Sequence, residues 1–224
     1  LIEDEIPAIL KNKYINLLKG ETMDNKYFDF EIFGVKRKLP FVKIKNGLAL
    51  ASFVCLSDTE LVQATAPELV KRLPPVDYLM TAEAKGIALT YEMSRLMGMN
   101  EFIVARKSRK PYMQNPIGCT LNSITTQSQQ SLYLNGVDAE KIRGKRVALI
   151  DDVIATGESI GAIETLAKKA GAIVAAKAAI LAELETAKRN DVIFLKEHYV
   201  FKPMEDGSFE PIYTMEEYEK QIKL

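Results

Sequence analysis

Residues 147–159 read Val-Ala-Leu-Ile-Asp-Asp-Val-Ile-Ala-Thr-Gly-Glu-Ser, and this stretch is the main indication of the fold class. An apolar run without alternation indicates a strand that is buried on both faces, as in a parallel sheet. Burying two adjacent carboxylates is costly, so Asp151 and Asp152 are expected at the carboxyl end of that strand, where open α/β sheets bind ligands. A helical pattern follows from Ile160.

The residues after the acidic pair form a predicted turn from the strand into the helix. Its backbone N–H groups and the hydroxyls of Thr156 and Ser159 can converge on an anion at the positive end of the helix dipole. The carboxylates can accept hydrogen bonds from vicinal hydroxyls or hold Mg²⁺ through water. An ordinary buried strand followed by a capped helix is the alternative. Several residue types coincide at fixed spacing, and this favours a site for a phosphorylated ribose.

The stretch resembles the signature of the type I phosphoribosyltransferases: an apolar strand, two acidic residues, two apolar residues and a hydroxyl-rich phosphate loop. The resemblance implies that Asp151 and Asp152 are catalytic, hold the ribose and bind Mg²⁺ through water. The 5′-phosphate would be bound by the loop residues Ala155, Thr156, Gly157, Glu158 and Ser159. A carboxylate repels a phosphate, so the Glu158 side chain is expected to point away.

A second motif, residues 81–86, lies between a predicted strand and a predicted helix. Glu83, Lys85 and Gly86 match the Glu-x-Arg/Lys-Gly pyrophosphate loop of adenine-type members. The resemblance implies that Glu83, Ala84 and Gly86 bind substrate and that Lys85 is catalytic. Taken alone, the motif indicates a capped helix start with one solvated lysine. Beside the first motif, the pyrophosphate role is favoured.

A run of cations opens the polar stretch 106–130. A charged run is usually a solvated face, but long irregular loops in compact domains are often lids. The lid of adenine and xanthine phosphoribosyltransferases begins Arg-Lys-x-x-Lys, and this implies that Arg106 and Lys110 are catalytic and that Lys107 binds substrate. Adenine-type enzymes carry an acid after the lid, whereas residues 126–132 contain no carboxylate. Proton transfer at the base therefore has no assigned residue.

The base-binding residues are expected by position in the same family. Phe53 and Leu184 are the candidates, because an aromatic face and a leucine suit a flat purine. The alternative, that both side chains are plain core, is equally compatible with the sequence. His198 is the only histidine of the chain, and the sequence indicates no partner and no role for it.

The composition of the chain restricts the other classes of function. Thirty basic and thirty acidic residues cancel, which predicts neither a nucleic-acid nor a membrane partner. Cys55 and Cys119 show no metal-ligand spacing and no disulfide pattern, as expected for a protein of the reducing cytoplasm. The glycine-rich loops of dinucleotide-binding proteins and kinases do not occur in the sequence.

Strands alternate with helices along the chain, which predicts an α/β fold with a parallel twisted sheet flanked by helices. An amphipathic helix over 4–19 and a β-hairpin with a third strand through 48–54 predict a small β-rich hood. The expected domains are this hood over 1–56, a phosphoribosyltransferase core over 57–205 and a C-terminal extension over 206–224.

The resemblance extends over residues 76–185. It implies Mg²⁺-dependent transfer of 5-phosphoribose from phosphoribosyl pyrophosphate to a purine base, giving a nucleoside monophosphate and pyrophosphate, in a homodimeric enzyme of purine salvage. The competing class is a non-catalytic regulatory protein of the same fold that senses phosphoribosyl pyrophosphate or a nucleotide. Related repressors carry a DNA-binding winged helix before this domain, whereas the residues before the core here read largely as hairpin.

Overall fold

The computed structural model describes residues 22–122 and 129–222. The helix predicted over 4–19 lies outside these residues. Twelve strands occur in the described ranges: β1 Thr22–Ile32, β2 Val35–Lys43, β3 Ala49–Ala51, β4 Tyr78–Ala82, β5 Ile103–Ala105, β6 Ile117–Asn122, β7 Gln129–Leu134, β8 Arg146–Ile154, β9 Ile173–Glu183, β10 Val192–His198, β11 Val200–Pro203 and β12 Phe209–Ile212. Six α-helices accompany them: α1 Thr59–Val70, α2 Ile87–Leu96, α3 Gly136–Ile142, α4 Glu158–Lys169, α5 Leu184–Ala187 and α6 Met215–Ile222.

The larger sheet is parallel, with the strand order β10-β9-β8-β4-β5. The apolar run of β8 is central, and Val147 through Ile150 are fully buried. Helix α4 packs on the sheet through Ile160, Ile163 and Leu166, which share one hydrophobic cluster with residues of β8. These features confirm the predicted α/β fold with a parallel sheet flanked by helices. An uninterrupted apolar strand is stable here because both of its faces are covered.

Residues 106–130 differ from the irregular stretch that the sequence suggested. Strands β6 and β7 form an antiparallel hairpin that pairs Ile117 with Leu134 at its open end. The backbones of Arg106 and Tyr133 exchange two hydrogen bonds of 2.8 Å. Leu132 and Leu134 are buried, whereas Tyr133 between them is half-buried. Apolar residues alternate with polar or small ones along β6, and β7 begins with three polar residues, so the average polarity of the stretch hid its two strands.

The smaller sheet has the strand order β1-β2-β3-β11-β12. Chain contacts group the described residues 22–30, 36–52 and 199–222 into one compact unit, and residues 31–35 and 53–198 into another. The smaller unit therefore contains the predicted N-terminal hairpin together with residues from the other end of the chain.

The C-terminal residues do not form the separate extension that their polarity suggested. Strand β11 pairs with β3 and also with β12, from Val200 opposite Ile212 to Pro203 opposite Phe209. The rings of Phe41 and Phe209 are stacked, with centroids 3.8 Å apart. The isolated aromatic residues of the polar tail thus complete a sheet that begins near the N-terminus. In the described part of the chain, no helix combines the length and apolarity needed to span a bilayer.

Candidate active site

The acidic pair lies near the carboxyl end of β8, where Asp151 is opposite Ala179 of β9. The strand continues through Ile154, so Asp152 is more deeply placed than a residue at a strand terminus and is only 4% exposed. Its Oδ2 atom has no hydrogen-bond partner among the described residues. The Nζ atom of Lys85 lies 4.0 Å from that oxygen, on a side chain that is 57% exposed. A buried carboxylate oxygen with one distant cation is ready to accept a hydrogen bond from a ligand.

Both carboxyl groups of the acidic pair are costly to ionise where they lie. Burial raises the pKa of Asp151, the negative charge of Asp152 adds to this rise, and a hydrogen bond from Ser159 opposes it. Burial also raises the pKa of Asp152, against the opposing charge of Lys85. A bound cation, or hydroxyl groups that donate to both carboxylates, would favour the ionised pair.

A metal ion at this position would need ligands from outside the protein. The structure contains no cluster of three or more His, Cys, Asp or Glu side chains suited to a metal ion, within residues 22–122 and 129–222. Mg²⁺ commonly keeps several waters and is held by one or two carboxylates together with substrate phosphates. The orphaned Oδ2 of Asp152 fits that mode of binding, directly or through a water.

The loop at residues 83–86, just before α2, lies against β8. A β-carbon built on Gly86 would collide with the Thr81 hydroxyl and would lie 3.3 Å from the Ile150 carbonyl oxygen. Only glycine therefore allows this close approach. The peptide bond between Glu83 and Ala84 is cis. The structure thus brings the second sequence motif against the first, through Gly86 and Lys85.

Cys55 contacts the backbone of the loop at residues 83–86, and the sequence indicated no role for it. Its Sγ atom is 3.8 Å from the carbonyl oxygen of Lys85. Burial raises the pKa of the Cys55 thiol to about 12, and the charge of Asp152 adds to the rise. The thiol therefore stays protonated and donates to the loop backbone.

The basic run begins with a side chain that is already paired. The Arg106 Nε atom donates to Glu83 at 3.0 Å, and its Nη1 atom donates to the Tyr112 hydroxyl at 2.7 Å. The backbone N–H of Lys107 also donates to Glu83 at 3.0 Å. The Arg106 hydrogen bond is the main cause of a lowered Glu83 pKa, and the charge of Lys110 contributes. Glu83 and Arg106 thus tie the first loop to the basic run, which their sequence separation did not reveal.

The predicted phosphate loop starts α4. Gly157 has φ +83°, in the left-handed region that favours glycine, and immediately precedes the helix. The N–H of Glu158 lies 3.4 Å from the Thr156 hydroxyl oxygen. The Thr186 hydroxyl, in α5, donates to the Ala155 carbonyl. The loop is therefore supported by α5 as well as by its own helix.

Arg189 approaches the phosphate loop, although no sequence motif marks it. A β-carbon built on Gly157 would lie 3.3 Å from its Nη1 atom. Its Nε and Nη2 atoms donate to Asp191 at 2.8 and 2.7 Å. Asp191 also accepts a hydrogen bond of 2.9 Å from Lys177, which pairs with Glu164 of α4 at 2.8 Å. The sequence offered no signal for this arrangement beyond a short polar turn.

The two candidates for base binding occupy different environments. Phe53 is buried, as the plain-core alternative predicts. Leu184 is half-buried and has φ +44°, a left-handed conformation at the junction of β9 and α5. This backbone conformation is uncommon for a leucine and is characteristic of functional sites and tight turns.

His198 has a partner, contrary to the expectation from the sequence. Its Nδ1 atom lies 2.9 Å from Oε1 of Glu183, and both side chains are buried. The two residues face each other in the register of β9 and β10. The parallel pairing of β9 with β10 brings these two polar residues together, and the sequence alone did not indicate this contact.

A scan against models of known protein families gave no match. Among curated proteins, the chain is 36% identical over 109 residues to a hypoxanthine/guanine phosphoribosyltransferase of Methanothermobacter thermautotrophicus, covering 48% of this chain and 52% of the relative. It is 32% identical over 121 residues to the protein of the same name from Methanotorris igneus, covering 53% and 62%. The matched segment spans about half to three fifths of the length of these relatives.

The chain also superimposes on solved adenine phosphoribosyltransferases. With the Saccharomyces cerevisiae enzyme, complexed with an imino-altritol bisphosphate and adenine, the TM-score is 0.57 at 19% identity, over 69% of this chain and 93% of that chain. With the Trypanosoma brucei enzyme, in complex with AMP, pyrophosphate and ribose-5-phosphate, it is 0.54 at 20% identity, over 77% and 75%. Likenesses at these identities establish a shared fold.

Proposed function

The chain has the fold of the type I phosphoribosyltransferases and is related in sequence to hypoxanthine/guanine members, and from this premise we propose that it is a purine phosphoribosyltransferase. It transfers 5-phosphoribose from phosphoribosyl pyrophosphate to a purine base and releases pyrophosphate, with Mg²⁺, in purine salvage. The observation that carries this proposal is the approach of Gly86 to Ile150, which sets Lys85 4.0 Å from the unpartnered Asp152 oxygen.

The acidic pair accepts hydrogen bonds from the 2′- and 3′-hydroxyls of the ribose. Asp152 supplies a buried oxygen for this purpose, or for a water of the Mg²⁺ shell. The metal, when bound, neutralises charge on the pyrophosphate. Hydroxyl groups of a bound ribose that donate to Asp151 and Asp152 would also favour their ionised forms, which burial opposes.

The phosphate loop holds the 5′-phosphate through its backbone N–H groups and hydroxyls. Gly157 turns the backbone into α4, so the positive end of the helix dipole faces the anion. The Trypanosoma brucei relative was solved with ribose-5-phosphate and pyrophosphate, which supports a site that takes both groups.

The departing pyrophosphate is stabilised by the cations beside the acidic pair. Lys85 is the nearest, and Lys107 and Lys110 lie on the run that Arg106 ties to Glu83. Negative charge grows on the pyrophosphate as the glycosidic bond breaks, so fixed cations contribute most in the transition state. Arg106 acts on pyrophosphate directly only after it leaves Glu83; in the described arrangement it positions the loop.

The acceptor is a purine base held near Leu184, with Phe53 as a second candidate contact. The curated relatives are named for hypoxanthine and guanine, and the solved neighbours for adenine. The enzyme works as a homodimer, as the resemblance implies.

Steady-state turnover tests the proposal. The protein, phosphoribosyl pyrophosphate and Mg²⁺ are incubated with hypoxanthine, guanine, adenine or xanthine, and pyrophosphate release is measured. Release with at least one base, lost in Asp151→Asn with Asp152→Asn, supports an enzyme. Tight binding of phosphoribosyl pyrophosphate without release for any base overturns the enzyme. That result would favour the regulatory sensor, and the lack of a carboxylate in residues 126–132 points the same way.

A further inference from the structure

We propose that Arg189 is a positioning residue for the 5′-phosphate, oriented by Asp191 and directed at the phosphate loop beside Gly157. This inference rests on the proposed function, because it assigns a further residue to the same substrate group. No part of the sequence motif contains Arg189, which reaches the loop from the turn between α5 and β10.

The guanidinium is held in one orientation. Asp191 receives both Nε and Nη2 in a bidentate pair of 2.8 and 2.7 Å, the geometry that gives arginine–carboxylate pairs their directional strength. Asp191 is itself anchored by Lys177, whose side chain is largely buried and pairs with Glu164 of α4. Because α4 also carries the phosphate loop at its start, the clamp and the loop share one rigid support.

The remaining edge of the guanidinium is directed at Gly157. Its Nη1 atom lies 3.3 Å from the position that a β-carbon of Gly157 would occupy. The absence of a side chain at this position therefore leaves room for the cation as well as permitting the left-handed backbone. A phosphate held by the N–H groups of residues 156–159 lies within a few ångströms of the same backbone, where a unit charge still acts strongly.

The loop has a particular need for such a cation. Glu158, the first residue of α4, adds a negative charge close to the phosphate loop even though its side chain is exposed. A cation fixed beside Gly157 offsets part of that unfavourable charge. Arg189 suits this task because two of its nitrogens are already committed and little side-chain entropy remains to be lost on binding.

Calorimetric titration with two probes tests the assignment. Ribose 5-phosphate reports the phosphate loop, and inorganic pyrophosphate with Mg²⁺ reports the loop at residues 83–86. Arg189→Ala should weaken ribose 5-phosphate binding by about ten-fold, the effect of losing one charge-assisted contact, and should leave pyrophosphate binding within two-fold. Lys188→Ala is the matched control, because it removes one positive charge from the adjacent residue, which pairs with Glu185 on the surface.

Kinetics and a second variant separate positioning from stability. Arg189→Ala should raise the KM for phosphoribosyl pyrophosphate with little change in kcat, and Asp191→Asn should do the same more weakly while Arg189 is retained. If Arg189→Ala does not fold, Asp191→Asn decides. If Arg189→Ala weakens the binding of both probes equally, or if folded Arg189→Ala binds ribose 5-phosphate as tightly as the parent protein, this inference is overturned and the proposed function is not. If the parent protein binds neither probe, the proposed function is overturned, and this inference with it.

Discussion

At the scale of single residues, two features define the candidate site: a carboxylate oxygen without a hydrogen-bond partner among the described residues, and a glycine at a close backbone approach. Asp152 is buried with one oxygen unpartnered among the described residues, and Gly86 allows a loop to approach β8 more closely than any side chain would permit. The unpartnered, buried oxygen of Asp152 costs stability in the protein without ligand. Such costs are characteristic of functional positions, where the ligand supplies the missing interaction.

Asp152→Asn should make the protein more stable and inactive. Burial raises the pKa of Asp152, so ionising this carboxyl group in the folded protein carries a cost that a neutral amide avoids. The expected gain is about 1 kcal/mol, or about 2–4 °C in the midpoint of thermal unfolding. Asp191→Asn is the contrasting variant: Arg189 and Lys177 lower the pKa of Asp191, so its replacement should destabilise the fold. A lower melting midpoint for Asp152→Asn would contradict this account.

Gly86→Ala should destabilise the protein and abolish turnover. The added methyl group meets the buried Thr81 hydroxyl and the β8 backbone, and overpacking of this kind costs about 1–3 kcal/mol. Gly161→Ala is the matched control, since Gly161 lies inside α4 with nothing within 4 Å of a new β-carbon. That change should stabilise the helix by about 0.5–1 kcal/mol. Denaturant unfolding of both variants measures the difference, and similar effects would show that the close approach at Gly86 is unimportant.

At the scale of elements, the candidate site is supported by contacts at the carboxyl ends of β8 and β9. Thr186 of α5 donates to Ala155 of the phosphate loop, and Glu183 and His198 join the ends of β9 and β10. Each contact links residues from different elements at the same edge of the parallel sheet. This edge is where a doubly wound sheet gathers its ligand-binding loops.

His198→Ala should cost about 3 kcal/mol of unfolding free energy, because it leaves the buried Glu183 carboxyl without its 2.9 Å partner. Replacing both residues by leucine should recover much of the loss, since no buried polar group then lacks a partner. Lys220→Ala, which breaks an exposed pair with Glu216, should change little. Chemical denaturation checks all three variants, and a double variant as unstable as His198→Ala would refute the buried-pair explanation.

At the scale of the whole molecule, the smaller sheet is assembled from distant parts of the chain. Strands β11 and β12 extend a sheet whose first three strands precede the parallel core in sequence. The aromatic rings of Phe28, Phe41, Phe201 and Phe209 pack against one another in this unit. Pairing over such a separation carries a loop-closure cost that grows only slowly with the length of the intervening chain, and burial of the aromatic rings offsets it.

Phe209→Ala should destabilise the smaller sheet by about 1–3 kcal/mol, through the loss of its stacked contact with Phe41. Amide hydrogen exchange in β11 and β12 should become faster. Tyr27→Ala provides the control, because Tyr27 is an exposed aromatic residue on β1 of the same sheet. Exchange rates in β11 and β12 that are the same in both variants would show that the C-terminal strands do not depend on this contact.

The amino-acid sequence was sufficient to predict the parallel core and to propose the residues of the candidate site. An apolar strand, two acidic residues and a glycine turn are local patterns, and local patterns are set by backbone geometry and by burial of adjacent residues. The acidic pair and the two loops proposed to bind phosphate and pyrophosphate could therefore be identified as candidates, because each consists of residues that lie close together in the chain. Polar alternation concealed the β6–β7 hairpin, because a strand with one solvated face resembles a loop in composition.

The tertiary structure was needed to show which distant groups meet. The Glu83–Arg106 pair, the Glu183–His198 pair and the approach of Arg189 to Gly157 each join residues on different elements. Each is set by strand order and register, which depend on the packing of the whole sheet. Side-chain periodicity reports which face of an element is buried, but it carries no information about which other element covers that face.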